Sequence, residues 1–121
     1  KALMDFTGAM RTKEILILNP AQPPIDMQTT IFAKINGPDI DLARKEVGRM
    51  VEKIQRYVPG YHLVVPPVIE NDRLVVMVRV QGLGDYLPRY AGNLDIINSA
   101  AIATAEEFAK ASVRADSKVS L

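Results

Sequence analysis

The chain contains no cysteine among its 121 residues. Disulfides, thiolate metal sites and a cysteine nucleophile within this polypeptide are therefore excluded. A single histidine, His62, cannot build a multi-histidine metal site from one chain. Charge of either sign is scarcely in excess, with 15 Lys and Arg against 14 Asp and Glu for a formal charge of +1. That balance gives no electrostatic basis for holding nucleic acid or an anionic membrane, and neither is expected as a partner. No apolar run approaches the roughly 20 residues that span a bilayer. Residues 1–13 lack an apolar core followed by a small-residue cleavage site, so they do not read as a secretory signal. They read instead as the end of a helix without an initiator methionine, the pattern expected of a fragment or processed chain.

What is present is an ordinary globular balance, 48% apolar and 24% charged residues. The length suits one domain. Ala2, Leu3 and Phe6 have helical spacing, with Gly8 as a stop. The nearly continuous apolar run within Glu14–Asn19 predicts a short buried strand. Pro20, Pro23 and Pro24 then break it, and read as a rigid connector rather than a ligand for a polyproline-binding module. Gln28–Asn36 predicts a second strand, with Thr29, Ile31, Ala33 and Ile35 on one face.

From Asp39 to Val58 the period changes to that of a helix. Ala43, Val47, Met50, Val51, Ile54 and Val58 form one face, while Arg44, Lys45, Arg49, Glu52 and Lys53 take the solvent face. Asp39 and Asp41 suit its positive N-terminal end, and Pro59-Gly60 stops it. Residues 61–65 and 73–81 predict two further strands, the first bent by Pro66 and Pro67, with turn chemistry at Asn71-Asp72 between them. Leu74–Val80 is too apolar for a strand with one face in water, so both its faces are expected to meet protein. A loop follows, then a helix from about Leu94 to Val113 and a polar tail over residues 114–121.

The expected fold is α+β and two-layered: a largely antiparallel sheet of about four strands, helices on one face, and the other face used for dimerisation. Residues 1–113 form the single domain. An exposed apolar sheet face favours self-association at roughly 25 cal/mol per Å² buried.

Candidate sites are few. Gly82-Leu-Gly84 follows a strand, but the third glycine of a dinucleotide fingerprint would fall at Leu87, before Pro88, where a helix does not readily start. A flexible turn is the better account. His62 lacks a neighbouring residue to orient it for general-base work, and reads as structural or surface. Arg11 and Lys13 read as a solvated turn. Asn93 stands at a loop-to-helix junction. It can cap the helix, typically contributing about 1 kcal/mol, or meet a ligand through a carboxamide that both donates and accepts. The residues leave both readings open.

The segment Tyr86-Leu-Pro-Arg-Tyr-Ala-Gly-Asn-Leu-Asp95, continuing Ile-Ile-Asn-Ser-Ala-Ala101, closely resembles the C-terminal signature of acylating acetaldehyde dehydrogenases. Ile15-Leu-Ile-Leu-Asn-Pro-Ala-Gln-Pro-Pro24 and Tyr57-Val-Pro-Gly-Tyr61 agree with it in order and spacing. Asn98, where the family often has threonine, and Asp85 depart from the pattern. The resemblance implies a cytoplasmic enzyme, associated with aromatic hydrocarbon catabolism, that oxidises acetaldehyde with NAD and coenzyme A to acetyl-CoA. A cysteine thiolate attacks the aldehyde, hydride passes to NAD, and coenzyme A takes the acyl group.

It further implies a homodimer and docking to a 4-hydroxy-2-oxovalerate aldolase. Neither the cysteine nor the nucleotide-binding domain lies in this chain, which resembles the substrate and dimerisation domain, with its last helix packing on the missing domain. No catalytic or metal-ligating residue is assigned here, no cofactor is expected to stay bound to this chain alone, and the chain alone is expected to be inactive. Asn93 matches the family asparagine at the NAD site, so the resemblance favours the ligand reading. A free-standing pairing module and a related semialdehyde dehydrogenase are the alternatives. For the latter, no arginine cluster suits a substrate carboxylate.

Overall fold

A computed structural model describes residues 1–119. Its elements are α1 (Ala2–Thr7), β1 (Met27–Ala33), α2 (Ile40–Gln55), β2 (Tyr61–Glu70), β3 (Arg73–Val80) and α3 (Gly92–Val119). The α+β architecture stands, but the sheet has three strands rather than four, all antiparallel, in the order β1-β3-β2.

The missing strand is the one expected at Glu14–Asn19. That segment has no regular structure, and Ile15, Leu16, Ile17 and Leu18 are 71–87% exposed. Its pattern is that of a buried strand, yet no described strand pairs with it. The Asn19 carboxamide accepts from the Ala21 amide at 3.0 Å and turns the chain into the proline segment.

The hairpin is the organising unit. Asn71 and Asp72 both have positive φ, 47° and 57°, the geometry of a two-residue turn whose twist matches that of the strands it joins. β3 is consequently central, flanked by β1 and β2, and its apolar sequence follows from that place. Val76, Val78 and Val80 are buried on one face, and Val75 is buried on the other. Thr29, Ile31 and Ala33 lie opposite Val78, Val76 and Leu74, so these members of the predicted β1 face join the valine face, whereas Ile35 lies beyond the end of the strand. The opposite face ends in a polar row, Gln28–Arg79–His62, where Arg79 also reaches Asp26 at 3.9 Å.

β2 does not stop at its prolines. It runs through Pro66 and Pro67 to Glu70, with register shifts between Leu63 and Val65 and between Val65 and Val68. Prolines are tolerated here because β2 is an edge strand, where lost amide donors leave no ladder bond unmade on the outer side.

Asp39 caps α2. Its carboxylate accepts from the Asp41 and Leu42 amides at 3.1 and 2.9 Å. The helix lies along β2, tied at both ends: Arg44 Nε donates to the Pro67 carbonyl at 3.1 Å, and Gln55 Nε2 to the Tyr61 carbonyl at 2.7 Å. Arg44 is therefore partly a tether rather than purely solvent-facing. Val51 and Val58 complete the core. Burial, and then the nearby Tyr57, push the Tyr61 phenol above its usual range.

Beyond this unit little is packed. α3 starts two residues before the expected Leu94 and continues six past Val113, so the expected polar tail is helical to Val119; residues 120 and 121 lie outside the described residues. None of residues 93–114 is buried. Ile97, Ile102 and Phe108 are 61–76% exposed, and Phe6 of α1 is 91% exposed. The accessible surface is 10114 Å², against roughly 6,500 Å² for a compact monomer of this size.

Candidate functional site

The junction carrying Asn93 is built from the end of β3. The Gln81 amide donates to the Gly60 carbonyl at 2.9 Å, closing the sheet. One residue on, the Gly82 amide donates to the Arg89 carbonyl at 2.7 Å and ties the base of a loop, and Ala91 bonds back to Pro88 at 2.8 Å. Gly82 is needed for close approach, since a Cβ there would meet Asp95 Oδ2 at 2.5 Å and the Arg89 carbonyl at 3.2 Å. Gly92 lies directly against the Val80 carbonyl, so the helix begins where backbone touches backbone. At the loop tip Tyr86 is fully exposed.

α3 begins at Gly92, and the Ala91 carbonyl accepts from the Leu94 and Asp95 amides at 3.0 and 3.5 Å. Asn93 is thus the second helical residue and not the cap. The capping reading falls because its backbone has already turned helical, whereas a cap stays outside the helix so that its side chain can fold back onto first-turn amides. Among the described residues the exposed Asn93 carboxamide makes no hydrogen bond to protein. Its donors and acceptor remain available to a ligand.

The side chain that works locally is Asp95. Its Oδ2 accepts from the Leu83 amide at 2.6 Å, joining the first turn of α3 to the loop. As an acid in the first turn it also complements the helix dipole. The sequence pattern signalled it only as an acidic residue near a helix start. Successive helical residues turn by about 100°, so Asn93 and Asp95 project about 200° apart, onto opposite sides.

On the Asp95 side an open groove of about 500 Å³ lies between loop and helix, its lining including Leu83, Asp85, Tyr86, Asp95, Asn98 and Ile102. Its charged walls are acidic, which disfavours the phosphates of a dinucleotide or of coenzyme A. Asn93 is not part of that wall. His62 is on β2, exposed and opposite Arg79, with no carboxylate partner among the described residues, in keeping with a surface role. Gly82 and Gly84 serve the loop closure, Gly84 with φ of +83°.

Comparison with known proteins agrees across most of the chain. The pattern that defines the family described as prokaryotic acetaldehyde dehydrogenase, dimerisation, matches residues 1–88. An acetaldehyde dehydrogenase of Pectobacterium atrosepticum is 65% identical over 106 residues, covering 88% of this chain and 36% of that protein. One of Spirochaeta aurantia is 58% identical over 111 residues, covering 92% and 37%. One of Carboxydothermus hydrogenoformans is 51% identical over 110 residues, covering 91% and 37%. The chain therefore spans little more than a third of the length of these relatives. With a central β3, an unpaired apolar run and an open third helix, it belongs to the prokaryotic acetaldehyde dehydrogenase dimerisation family.

Proposed function

We propose that this chain pairs protomers of an acylating acetaldehyde dehydrogenase, which converts acetaldehyde, coenzyme A and NAD to acetyl-CoA and NADH in the cytoplasm. The match to a dimerisation family over residues 1–88 carries the reading. The surface supports it. An exposed area of 10114 Å² exceeds that of a compact monomer by roughly 3,600 Å². A large obligate dimer covers about 1,000–2,500 Å² on each protomer, which leaves area for the remainder of a longer enzyme.

The chain contributes architecture and one polar contact. The sheet face bearing Phe32, Met77 and Arg79 is proposed to meet the second copy, and α3 to carry its apolar side to the nucleotide-binding part. Asn93 would hold NAD, because its free carboxamide can donate and accept at once. NAD, when bound, supplies the hydride acceptor. Residues of this chain position it, and the thiolate that attacks the aldehyde comes from elsewhere in the enzyme, since this chain has no cysteine. Docking of a 4-hydroxy-2-oxovalerate aldolase is proposed on the family resemblance and is checked by co-purification.

The test is aldehyde-dependent NADH formation. The complete enzyme should turn over only when both coenzyme A and NAD are supplied, and this chain alone should give none. Sustained turnover by the chain alone, or coenzyme-A-independent oxidation by the complete enzyme, would overturn the reading. A monomer mass for this chain by light scattering at micromolar concentration would remove its pairing role.

A further inference from the structure

We infer that Asp95 is a positioning residue: by accepting the Leu83 amide it sets the rotation of α3, and so the direction in which Asn93 presents its carboxamide to the cofactor. The inference rests on the proposed NAD contact of Asn93. Four observations support it. The Asp95–Leu83 bond, at 2.6 Å, is a charge-assisted contact between elements 12 residues apart. Asn93 is held by no hydrogen bond of its own among the described residues, so its direction depends on the helix that carries it.

Within this chain the helix has little else to orient it, because none of residues 93–114 is buried. Rotation about its axis is opposed mainly at its first turn, where Gly92 meets the Val80 carbonyl and Asp95 holds the loop. Gly92 fixes where the helix starts against β3, and the Asp95–Leu83 bond fixes which side of the first turn faces the loop. Because Asp95 and Asn93 project about 200° apart, tightening one side directs the other. The loop end of the bond is firm, since Gly82, the neighbour of Leu83, is itself tied to Arg89 at 2.7 Å.

The experiment uses the complete enzyme with four single variants. Asp95→Ala removes the acceptor and should raise KM for NAD about tenfold, with KM for coenzyme A changed less than about twofold. Asp95→Asn keeps an oxygen that can accept the same amide, and should restore KM for NAD to within about threefold of wild type. Gly82→Ala places a Cβ 2.5 Å from Oδ2, displaces the carboxylate and should reproduce the Asp95→Ala profile.

Asn93→Ala separates the inference from the reading beneath it. If Asn93→Ala weakens NAD binding while Asp95→Ala does not, the positioning role is overturned and the cofactor contact stands. If Asp95→Asn is as impaired as Asp95→Ala, the charge and not the hydrogen bond matters, and the role is again overturned. If Asn93→Ala leaves KM for NAD unchanged, the cofactor contact fails and the positioning role fails with it. Protection of the Leu83 amide from hydrogen exchange, present in wild type and lost in Asp95→Ala, reports the bond itself in each variant. Lost protection without a change in KM for NAD would leave Asp95 purely structural and overturn the inference.

Discussion

Two apolar runs, Ile15–Leu18 and Leu74–Val80, have nearly the same local character and opposite fates. In the second, Val75, Val76, Val78 and Val80 are each at most 7% exposed. In the first, every residue is more than two-thirds exposed. Hydrophobicity does not distinguish them; neighbours do. Leu74–Val80 follows a two-residue turn that lays it against β2, and β1 closes its other edge. Ile15–Leu18 is followed by a proline segment, and no described strand lies beside it. A strand buries its side chains only once another chain segment satisfies its amides and carbonyls. The exposed run thus marks surface that a longer enzyme or a second copy is proposed to cover.

The largest difference expected between the runs comes from a buried charge. Val80→Asp should destabilise the isolated chain by about 4 kcal/mol or more, because it places an unpaired carboxylate at a position only 1% exposed. Ile17→Asp should change the same urea-unfolding free energy by less than about 0.5 kcal/mol. Equal effects would erase the contrast. Removing two methyl groups from the core by Val51→Ala should cost about 2 kcal/mol in the same measurement.

Asp39→Ala should lose about 1 kcal/mol through the α2 cap, and Asp39→Asn should retain most of it. Phe108→Ala should be within about 0.5 kcal/mol of wild type in the isolated chain. A clearly larger loss in the complete enzyme would place Phe108 in a covered interface, whereas equal small effects would leave α3 in water.

The smallest effect is a matter of pH. Burial and Tyr57 raise the Tyr61 pKa above the ordinary 10.0, so the folded state holds the phenol proton longer than the unfolded state does. Below pH 10 both states are protonated and nothing is gained or lost. As pH rises through 10 towards the folded value, the unfolded state loses its proton first, and stability declines. Tyr61→Phe should remove that alkaline decline, as followed by urea midpoints between pH 9 and 11. An unchanged pH profile would assign the decline to other groups.

Much of this was legible in the residues. The acidic helix start at Asp39, the amphipathic helix behind it and the Asn71-Asp72 turn are features of residues close in the chain, and each occurs where its pattern places it, although the helix closes at Gln55 rather than Val58. The misreadings came from questions of neighbourhood. Pro66 and Pro67 look like strand breakers until β2 proves to be an edge. Asn93 looks like a cap until the helix, packed against Val80 at Gly92, proves to start two residues earlier than a cap at Asn93 allows. Asp95 carries no signal for its bond, because its partner is an amide 12 residues away in a loop.

Periodicity, turn chemistry and capping act through bonds between residues close in the chain, so the order of residues settled the α+β class, the hairpin and the second helix. The absence of cysteine likewise excluded a thiolate nucleophile from these 121 residues. Three-dimensional packing settled which apolar run became the central strand, why β2 survives its prolines, and which side chain holds the start of α3. Those outcomes depend on contacts between distant segments, where pairing and close approach compete, and a linear pattern carries no record of which segment wins.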